Sequence, residues 1–417
     1  MDPVLRILVL ATLISRVGRG VFLTVTVLYL TFVIGLSVSE TAVILGISSA
    51  VGVLTSYVGG HLADRISARR LLFVLLAAEG FALACYAFAA DFTSVLIIAC
   101  TASAVGSASN ATRMAIIARA FEGPARVSAR AVLRTVTNIS IALGASFAGV
   151  ALLADSAQAY RIVMLGAAIV YFLGVIPVWK LPQRVNAPVR VAATGTSPST
   201  DHHPAAAPVQ APSPFKDRRY LLLTALCAVF GMQFSLAEVG VPLWIAQNTA
   251  APTALVSVLL ILNTLIVVIF QIPLARGTGD VQKSGKVITL AGMLMAIAAI
   301  TYALAGGVPV VPAVLLLVTA ATAHAFAEVW SQAGSWGLSF ELVNDLNPGA
   351  YQGVFAMGAG LGAMCAPFVV ASTALKFGFL GWVALALIFL CSALAIGVIA
   401  KQEVRRMSSA LQAVPPA

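Results

Sequence analysis

The sequence predicts an all-α membrane protein in which twelve transmembrane helices form two six-helix pseudo-repeat bundles, with both termini in the cytoplasm. Three observations lead to this fold class: composition, the number of long apolar stretches, and the distribution of basic residues. Of the 417 residues, 60% are hydrophobic and only 10% are charged, and the mean hydropathy is +0.99. A soluble protein cannot bury that much apolar surface, so lipid must be the solvent for most of the chain.

Long apolar stretches follow one another along the whole chain. About 20 apolar residues cross a bilayer, and on that length the sequence divides into twelve spans. Their approximate boundaries are 10–34, 40–62, 70–90, 93–117, 131–154, 160–180, 220–246, 253–275, 286–307, 310–334, 350–374 and 379–400. The first apolar run already begins at Val4. It is long for one span, and its start could be an interfacial helix.

The basic residues are concentrated in alternate loops. With a cytoplasmic N-terminus, the inner loops and tails hold about twenty of the 25 Lys and Arg, including Arg130 and Arg134, while the outer loops hold only Arg161 and Lys376. This asymmetry is the positive-inside rule. It accounts for the net charge of +10 without nucleic acid as a partner. It also predicts a multi-pass protein of the cell inner or plasma membrane, whose first span serves as an uncleaved signal.

In the first span, two arginines interrupt the apolar run. Arg16 is placed near the predicted inner end, where its side chain can reach the surface. Arg19 is deeper, and an ionisable residue at that depth usually faces a cavity or a water-filled path. We therefore predict that Arg19 lines the substrate cavity.

A charged island, residues 59–70, separates the second and third spans. Its only acid, Asp64, is close in sequence to three arginines, and an acid facing guanidiniums can form directional pairs that hold two helices together until they separate. Glycines here let neighbouring helices approach closely. The alternative is a loop that has no mechanical role and whose basic residues only follow the positive-inside rule. A gating role is predicted for Gly60, Asp64, Arg65, Arg69, Arg70 and, in the second half, Asp280.

The spacing Gly-x-Leu-Ala-Asp-Arg-x₃-Arg-Arg in this island resembles the signature loop between helices 2 and 3 of major facilitator superfamily transporters. The match runs from Gly60 to Arg65, whereas Ser67 stands where the family usually has a second glycine, and the next basic residue, Arg69, comes one place late. The resemblance implies a secondary active transporter in which two six-helix bundles rock about a central site. It also implies that Asp64 reaches a partner near helix 11 across the bundle interface.

Polar residues recur in the third and fourth spans. Glu79 lies close to the inner surface and could pair with the arginines of the charged island or with a neighbouring helix. Asn110 and Arg113 are three residues apart, so they share one helix face. A face that carries both groups inside a membrane should line a cavity, and we predict that Asn110 and Arg113 line the substrate cavity.

Glycines in the fifth and eleventh spans predict close helix packing. These segments resemble a weakened form of the glycine-rich stretch in efflux-type members of the superfamily, with Ala145 in the place of its proline. Together with the start of the first span, they favour the drug and metabolite exporters, which are similar in using proton antiport. The predicted packing positions are Gly144, Gly149, Gly358, Gly360 and Gly362.

Residues 181–217 carry seven prolines among Ala, Ser and Thr, a composition that cannot form a packed core. We predict a largely disordered cytoplasmic linker there. It separates an N-terminal bundle, residues 1–180, from a C-terminal bundle, residues 218–402, which a cytoplasmic tail, residues 403–417, follows. The halves match weakly at an offset of about 216 residues, as expected for parallel repeats.

Three ionisable groups lie inside spans of the second half. His324 and Glu328 are four residues apart, so they share a helix face and can share a proton. Glu238 lies beside Gly240 and Pro242, which weaken a helix where it bends around a substrate path. We predict that all three handle protons, and that Glu238 also lines the substrate cavity and favours cationic or neutral amphiphiles over anions. The alternative is a structural acid that is hydrogen-bonded to the backbone.

The sequence thus predicts a secondary active transporter that works by alternating access, in the first place a proton-coupled exporter of amphiphilic small molecules such as drugs or secondary metabolites. The alternative is a symporter or uniporter that imports a sugar, peptide or other nutrient. A membrane enzyme or sensor would need a catalytic constellation or a folded soluble domain, and the sequence shows neither, so no catalytic residue is predicted.

The expected energy source is the proton gradient rather than a cofactor, because no Gly-x₄-Gly-Lys-Ser/Thr loop is present. The five cysteines have no disulfide or metal-ligand spacing, and no metal site is predicted. The expected partners are a small-molecule substrate, protons and membrane lipid, with the chain as a monomer.

Overall fold

The computed structural model describes residues 1–152, 157–186 and 212–412. Within them, twelve helices are long and apolar enough to cross a membrane, so the predicted fold class is confirmed. The first six are α1 Pro3–Leu28, α2 Val38–Arg65, α3 Ala68–Cys85, α4 Phe92–Ala120, α5 Pro124–Leu152 and α6 Ala157–Leu173. The second six are α7 Arg218–Asn248, α8 Leu255–Ala275, α9 Val281–Leu304, α10 Val310–Glu341, α11 Pro348–Val370 and α12 Phe379–Gln412.

Short polar residues and prolines set the helix starts. Ser37 and Glu40 form a reciprocal capping box at the start of α2, and the Asp91 side chain accepts from the Ser94 amide 2.8 Å away at the start of α4. These contacts satisfy amides that have no partner inside the helix. Asp91 lies in the turn before α4, outside the membrane-spanning segments, and its hydrogen bonds with Ser94 lower the pKa of its carboxyl group. One large cluster of buried apolar side chains lies mainly in the N-terminal bundle and extends to Ala275, Ala333, Trp336 and Phe340 of the second half, and another lies within the C-terminal bundle.

Two helices begin earlier than the sequence predicted. Pro3 stands at the first turn of α1 and Asp2 caps it, so the helix runs without interruption from Pro3 to Leu28 instead of starting as a separate interfacial segment. Proline suits a first helical turn because its φ is already helical and its missing N–H has no partner there. For the same reason α5 begins at Pro124, directly after Gly123 at φ 46°, and not near residue 131.

The seventh span is irregular, as Gly240 and Pro242 predicted. Its first helical segment ends at Gly231, and a π-helical turn, Leu236–Gly240, precedes the last segment, Val241–Asn248. Such turns are frequent at functional sites. Glu238 lies within this turn.

Both described ends of the predicted linker carry short 3₁₀ turns, Gln183–Val185 and Pro214–Lys216. Asn186 accepts hydrogen bonds from the Ser67 hydroxyl at 2.9 Å and the Arg69 amide at 3.2 Å. The stretch from 187 to 211 lies outside the described residues, so the linker and the domain boundaries stay predictions.

The side of the molecule at which α1 starts and α2 ends is called here the termini side. The chain also turns there between α4 and α5, between α8 and α9, and between α10 and α11. The charge distribution predicts that the termini side is cytoplasmic.

Candidate substrate cavity and bundle interface

Asp64, at the end of α2, joins the two bundles on the termini side. Its Oδ1 accepts from the Gly349 amide at 2.9 Å and its Oδ2 from the Ala350 amide at 2.6 Å. These amides belong to the first turn of α11, where Asn347 supplies no side-chain cap. The carboxylate therefore caps a helix of the opposite bundle, at the end where the helix dipole attracts negative charge.

The cationic partner of Asp64 is Arg119, near the end of α4. The three arginines that are close to Asp64 in sequence form no ion pair with it in the described residues: Arg65 and Arg70 are exposed, and Arg69 donates to the Leu181 carbonyl at 3.2 Å. The expected contact with helix 11 is thus present, whereas the expected pairing within the charged island is not. The reason is that α4 packs against α2 and brings Arg119 to the carboxylate.

Glycines make the crossing of α2 and α11 close. A Cβ added at Gly60 would overlap the carbonyl oxygen of Gly349, and one added at Gly353 would come within 2.9 Å of the Ser56 carbonyl oxygen. This crossing and the Asp64 contact together are called here the α2–α11 seam. It holds the two bundles in contact on the termini side.

A second contact between the bundles lies at the start of α5. Arg126 Nη1 is 3.7 Å from Glu341 Oε1 at the end of α10, and the backbones of Pro124 and Gly279 touch. Asp280, the counterpart of Asp64, is exposed and accepts from the Gln282 and Lys283 amides of its own helix, at 2.6 and 3.1 Å. Asp280 therefore caps α9, and among the described residues it makes no contact between the bundles that would support its predicted gating role.

A cavity of about 320 Å³, called here the arginine cavity, lies between the bundles. It takes its lining from α1, α4 and α5 on one side and from α7, α10 and α11 on the other. Its polar lining includes Arg16, Asn110, Arg113, Arg130, Arg134, Gln233 and Gln332. Its apolar lining includes Met114, Leu133, Phe230, Phe234, Trp336 and Phe355. Asn110 and Arg113 both line this cavity, and their predicted contact with substrate stays a prediction.

The guanidinium groups around this cavity are short of partners. Arg113 is only 4% exposed, and its Nε has no hydrogen-bond partner among the described residues. The same holds for Nε of Arg16, Nη1 of Arg130 and Nε of Arg134. The guanidinium of Arg130 lies over the Trp336 ring, 4.8 Å from its centroid. The ring stabilises the cation through its face, and Nη1 of the same group has no hydrogen-bond partner among the described residues, so it can donate to a ligand.

A second cavity of about 320 Å³, called here the carboxylate cavity, contains all three predicted proton-handling residues, Glu238, His324 and Glu328. Arg134 and Phe234 line both cavities. Glu238 is exposed, whereas His324 is 2% and Glu328 5% exposed. The two cavities are therefore neighbouring parts of one interface, with Arg134 between them.

Glu328 is held by three donors. Arg134 Nη2 is 3.5 Å from Oε1, Gln332 Nε2 donates to Oε1 at 3.3 Å, and Asn263 Nδ2 donates to Oε2 at 3.1 Å. Arg134 belongs to the N-terminal bundle, and the amides belong to the C-terminal one. Nε2 of His324 has no hydrogen-bond partner in the described part of the chain. The structure thus places His324 and Glu328 on one cavity but gives Glu328 an arginine partner.

Arg19 does not line either cavity, contrary to the prediction from sequence. It forms an ion pair with Glu79 at 3.7 Å, inside the N-terminal bundle. Glu79 is 1% exposed and also accepts from the Ser109 hydroxyl at 3.4 Å; the described residues show no ion pair between Glu79 and the charged island. Arg16 lies on the cavity instead. Because α1 begins at Pro3, Arg16 is about 20 Å along the helix and not near its inner end.

Arg130 and Arg134 were missed from sequence because they were counted with an inner loop. The early start of α5 places them about 9 and 15 Å along the helix from Pro124. Two signals could have located them. Gly-Pro at 123–124 is typical of a helix start, and a spacing of four residues puts both arginines on one helix face.

The predicted packing glycines of the fifth and eleventh spans lie at helix crossings. Gly144 meets α1 at Val17 and Gly20, and Gly360 meets α2 at Val53. Gly358 and Gly362 meet α7 at Thr224 and Ala228. The surroundings of Gly149 lie outside the described residues.

A family model described as Major Facilitator Superfamily matches residues 8–353. A search of curated protein sequences finds no match. Among solved structures, the human organic anion transporter MFSD10 (TETRAN) is 13% identical with a TM-score of 0.68, covering 94% of this chain and 99% of that one. A bacterial homologue of the iron transporter ferroportin, in an outward-facing state, is 12% identical with a TM-score of 0.70, covering 96% and 99%.

The proton:xylose symporter XylE is 15% identical with a TM-score of 0.63, covering 96% of this chain and 95% of that one. At such low identities the likeness to these structures shows the fold alone. The family match spans most of the chain, and the helices that it covers build the cavities described above. The chain is therefore a transporter rather than an enzyme, and it belongs to the major facilitator superfamily.

Proposed function

We propose that this protein is a proton-coupled secondary active transporter that exports amphiphilic small molecules by alternating access. The observation that carries the proposal is the ion pair between Arg134 of one bundle and Glu328 of the other, at 3.5 Å, beside a cavity that both bundles line. Glu328 is 13 residues from the end of α10, so it lies about 20 Å from the termini side, well inside the roughly 30 Å hydrocarbon layer.

A carboxylate at that depth is costly unless it is paired or neutral. Deprotonated Glu328 attracts Arg134 and draws the bundles together, whereas protonated Glu328 loses this attraction. Proton binding thus changes the relative free energies of two bundle arrangements, which is the requirement for coupling a proton to a conformational change.

The lining of the arginine cavity supports an amphiphilic substrate, because aromatic rings and polar side chains face the same space. The export direction rests on the resemblance of the glycine-rich spans to exporters. With a cytoplasmic termini side, the α2–α11 seam makes this conformation one that is closed to the cytoplasm. The protein is placed in the cell inner or plasma membrane on the same charge argument.

Import by proton symport is the second candidate, and the position of Arg134 favours it. Because Arg134 lines both cavities, a proton on Glu328 would free its guanidinium for a substrate in the arginine cavity. Proton and substrate would then bind together, as in symport, and not in alternation, as in antiport.

The test is transport by purified full-length protein in liposomes, with a panel of radiolabelled amphiphiles. An antiporter concentrates substrate in the lumen when the lumen is the acidic side, and a symporter does so when the bath is acidic. Protein-free liposomes and an ionophore that collapses the gradient are the controls. If the amount of substrate taken up is the same without a pH gradient and with a gradient of either polarity, proton coupling is contradicted.

A further inference from the structure

We infer that the arginine cavity binds the anionic group of an amphiphilic substrate, a carboxylate, sulfonate or phosphate. This inference rests on the proposed function and names the charge class of its substrate. It reverses the preference for cations or neutral molecules that Glu238 suggested from sequence.

The first argument is the charge of the lining. Four arginines line the cavity, and none of its described lining residues is acidic. Arg134 has Glu328 as its partner, but Arg16, Arg113 and Arg130 form no ion pair in the described part of the chain. Arginine keeps its charge in proteins, so the described lining of this cavity carries an excess of positive charge.

The second argument is the unsatisfied donors. Burying a guanidinium donor without a partner is unfavourable, because the group loses its water and gains nothing in return. Nε of Arg113, 4% exposed, is such a donor, and Arg16, Arg130 and Arg134 each contribute another. An anion with two or three oxygens satisfies several of these donors at once, since planar guanidiniums bind such groups in bidentate fashion.

The third argument concerns the remainder of the ligand. Trp336, Phe230 and Phe355 line the same cavity, and a small inorganic anion would leave these apolar surfaces unused. The cavity volume of about 320 Å³ lies at the lower end of the range for small-molecule sites. An aromatic or short aliphatic body with one anionic end matches both parts of the lining.

The same anionic chemistry is available from two sources, a soluble organic anion and the headgroup of an anionic lipid.

Exposed Glu238 lies on the carboxylate cavity, so it does not place negative charge in the arginine cavity. The buried carboxylates near these arginines, Glu328 and Glu79, each have an arginine partner of their own, Arg134 and Arg19.

The experiment is binding of three matched radiolabelled probes to full-length protein in neutral detergent: 4-phenylbutyrate, 4-phenylbutylamine and 4-phenylbutanol. We expect the carboxylate to bind more tightly than the amine. Because a charged hydrogen bond is lost, Arg113→Gln and Arg130→Gln should each weaken carboxylate binding by about 10- to 100-fold. Binding of the alcohol should change little. Arg113→Lys keeps the charge and should fall between wild type and Arg113→Gln.

Arg161→Gln is the matched control, since it removes an exposed arginine of α6 that lies on neither cavity. Equal or tighter binding of the amine would overturn the inference. Carboxylate binding that is reduced in neither Arg113→Gln nor Arg130→Gln would overturn it as well. A thermal unfolding transition would show that each variant is folded.

Competition in phosphatidylcholine nanodiscs separates the two sources of the anion. Displacement of 4-phenylbutyrate by added phosphatidylglycerol identifies a lipid headgroup, and its absence identifies a soluble organic anion; either result supports an anion site. Binding needs no gradient, so failed transport with intact anion binding would count against the proposed function alone.

Discussion

Arg134 is the residue on which the two cavities depend most directly. Its guanidinium lies 3.5 Å from Glu328 and 5.5 Å from the centre of the Phe234 ring. The Arg134 side chain is 35% exposed and that of Glu328 only 6%. Substitution of Arg134 would therefore leave a buried carboxylate without its cationic partner, whereas protonation of Glu328 leaves a guanidinium that water can still reach.

We predict that Glu328→Gln abolishes gradient-driven accumulation and leaves membrane insertion intact. Glutamine can still bond to Asn263 and Gln332, but it cannot take up and release a proton. The measurement is concentrative uptake in liposomes beside downhill exchange, which should persist. Glu122→Gln, an exposed acid in the turn before α5, is the control. If the Glu328 variant concentrates substrate as well as wild type, Glu328 is not the proton site.

At the scale of residues, the sequence located buried polar groups better than it located their partners. Glu328 and Arg113 could be found because a charge inside an apolar span is conspicuous. The pairing of Arg19 with Glu79 and of Asp64 with Arg119 depends on which helices pack together, and periodicity within one helix does not contain that information.

At the scale of elements, the α2–α11 crossing is a close backbone contact between the bundles. Gly60 and Gly349 touch through their backbones, so this crossing has no room for a methyl group. Two helices that meet through glycine can separate and meet again without rearranging side chains. The crossing is therefore suited to a contact that forms and breaks in each transport cycle.

Gly60→Ala should disfavour closure of the termini side, because overpacking a tight contact costs roughly 1–3 kcal/mol. Gly46→Ala adds the same methyl group to the same helix where nothing lies within 4 Å, and it should have no such effect. A Ser56→Cys reporter at the seam, in a chain without its five native cysteines, would show the opening as faster thiol labelling. Equal labelling of the two alanine variants would mean that the crossing does not control closure.

Helix number and order could be predicted from sequence, but two helix starts could not. Hydropathy marks where a helix enters lipid, and α1 and α5 both extend beyond that point. Pro3 and Pro124 fix these starts locally, and hydropathy alone gives proline no weight as a start signal. The consequence is functional, since the early start of α5 is what brings Arg130 and Arg134 to the cavity.

At the scale of the whole molecule, the two halves close the termini side in different ways. Asp64 caps α11 of the other bundle, whereas Asp280 caps its own helix α9. The repeat offset matched the two acids and therefore predicted one role for both. It could not show that Arg119 is the cationic partner of Asp64, and at the position that corresponds to Arg119 the second half has Ser335.

Asp64→Asn should shift the protein toward conformations that are open on the termini side and slow its turnover, with little effect on substrate affinity. The variant loses the negative charge that faces both Arg119 and the N-terminus of α11. A change of about 1.4 kcal/mol moves the ratio of two conformations tenfold. Labelling of the Ser56→Cys reporter and the turnover rate in liposomes measure the two effects.

Asp280→Asn is the matched comparison, because this acid makes no contact between bundles among the described residues. It should leave labelling unchanged. If Asp64→Asn also shows unaltered labelling and normal turnover, the charge of Asp64 does not control closure of the termini side.

From the depth of the cavity arginines, we expect transport to be sensitive to voltage. Arg113, Arg130, Arg134 and Arg16 lie about 10 to 20 Å from the termini side, inside the transmembrane electric field. Moving one unit charge through 100 mV is worth about 2.3 kcal/mol. A potential that is negative on the cytoplasmic side pulls the positively charged arginines toward the cytoplasm. A bound anion cancels part of that force and is itself driven outward. A valinomycin-imposed potassium potential at constant pH should therefore change the rate of anion transport, and a rate independent of voltage would show that the guanidiniums do not move through the field.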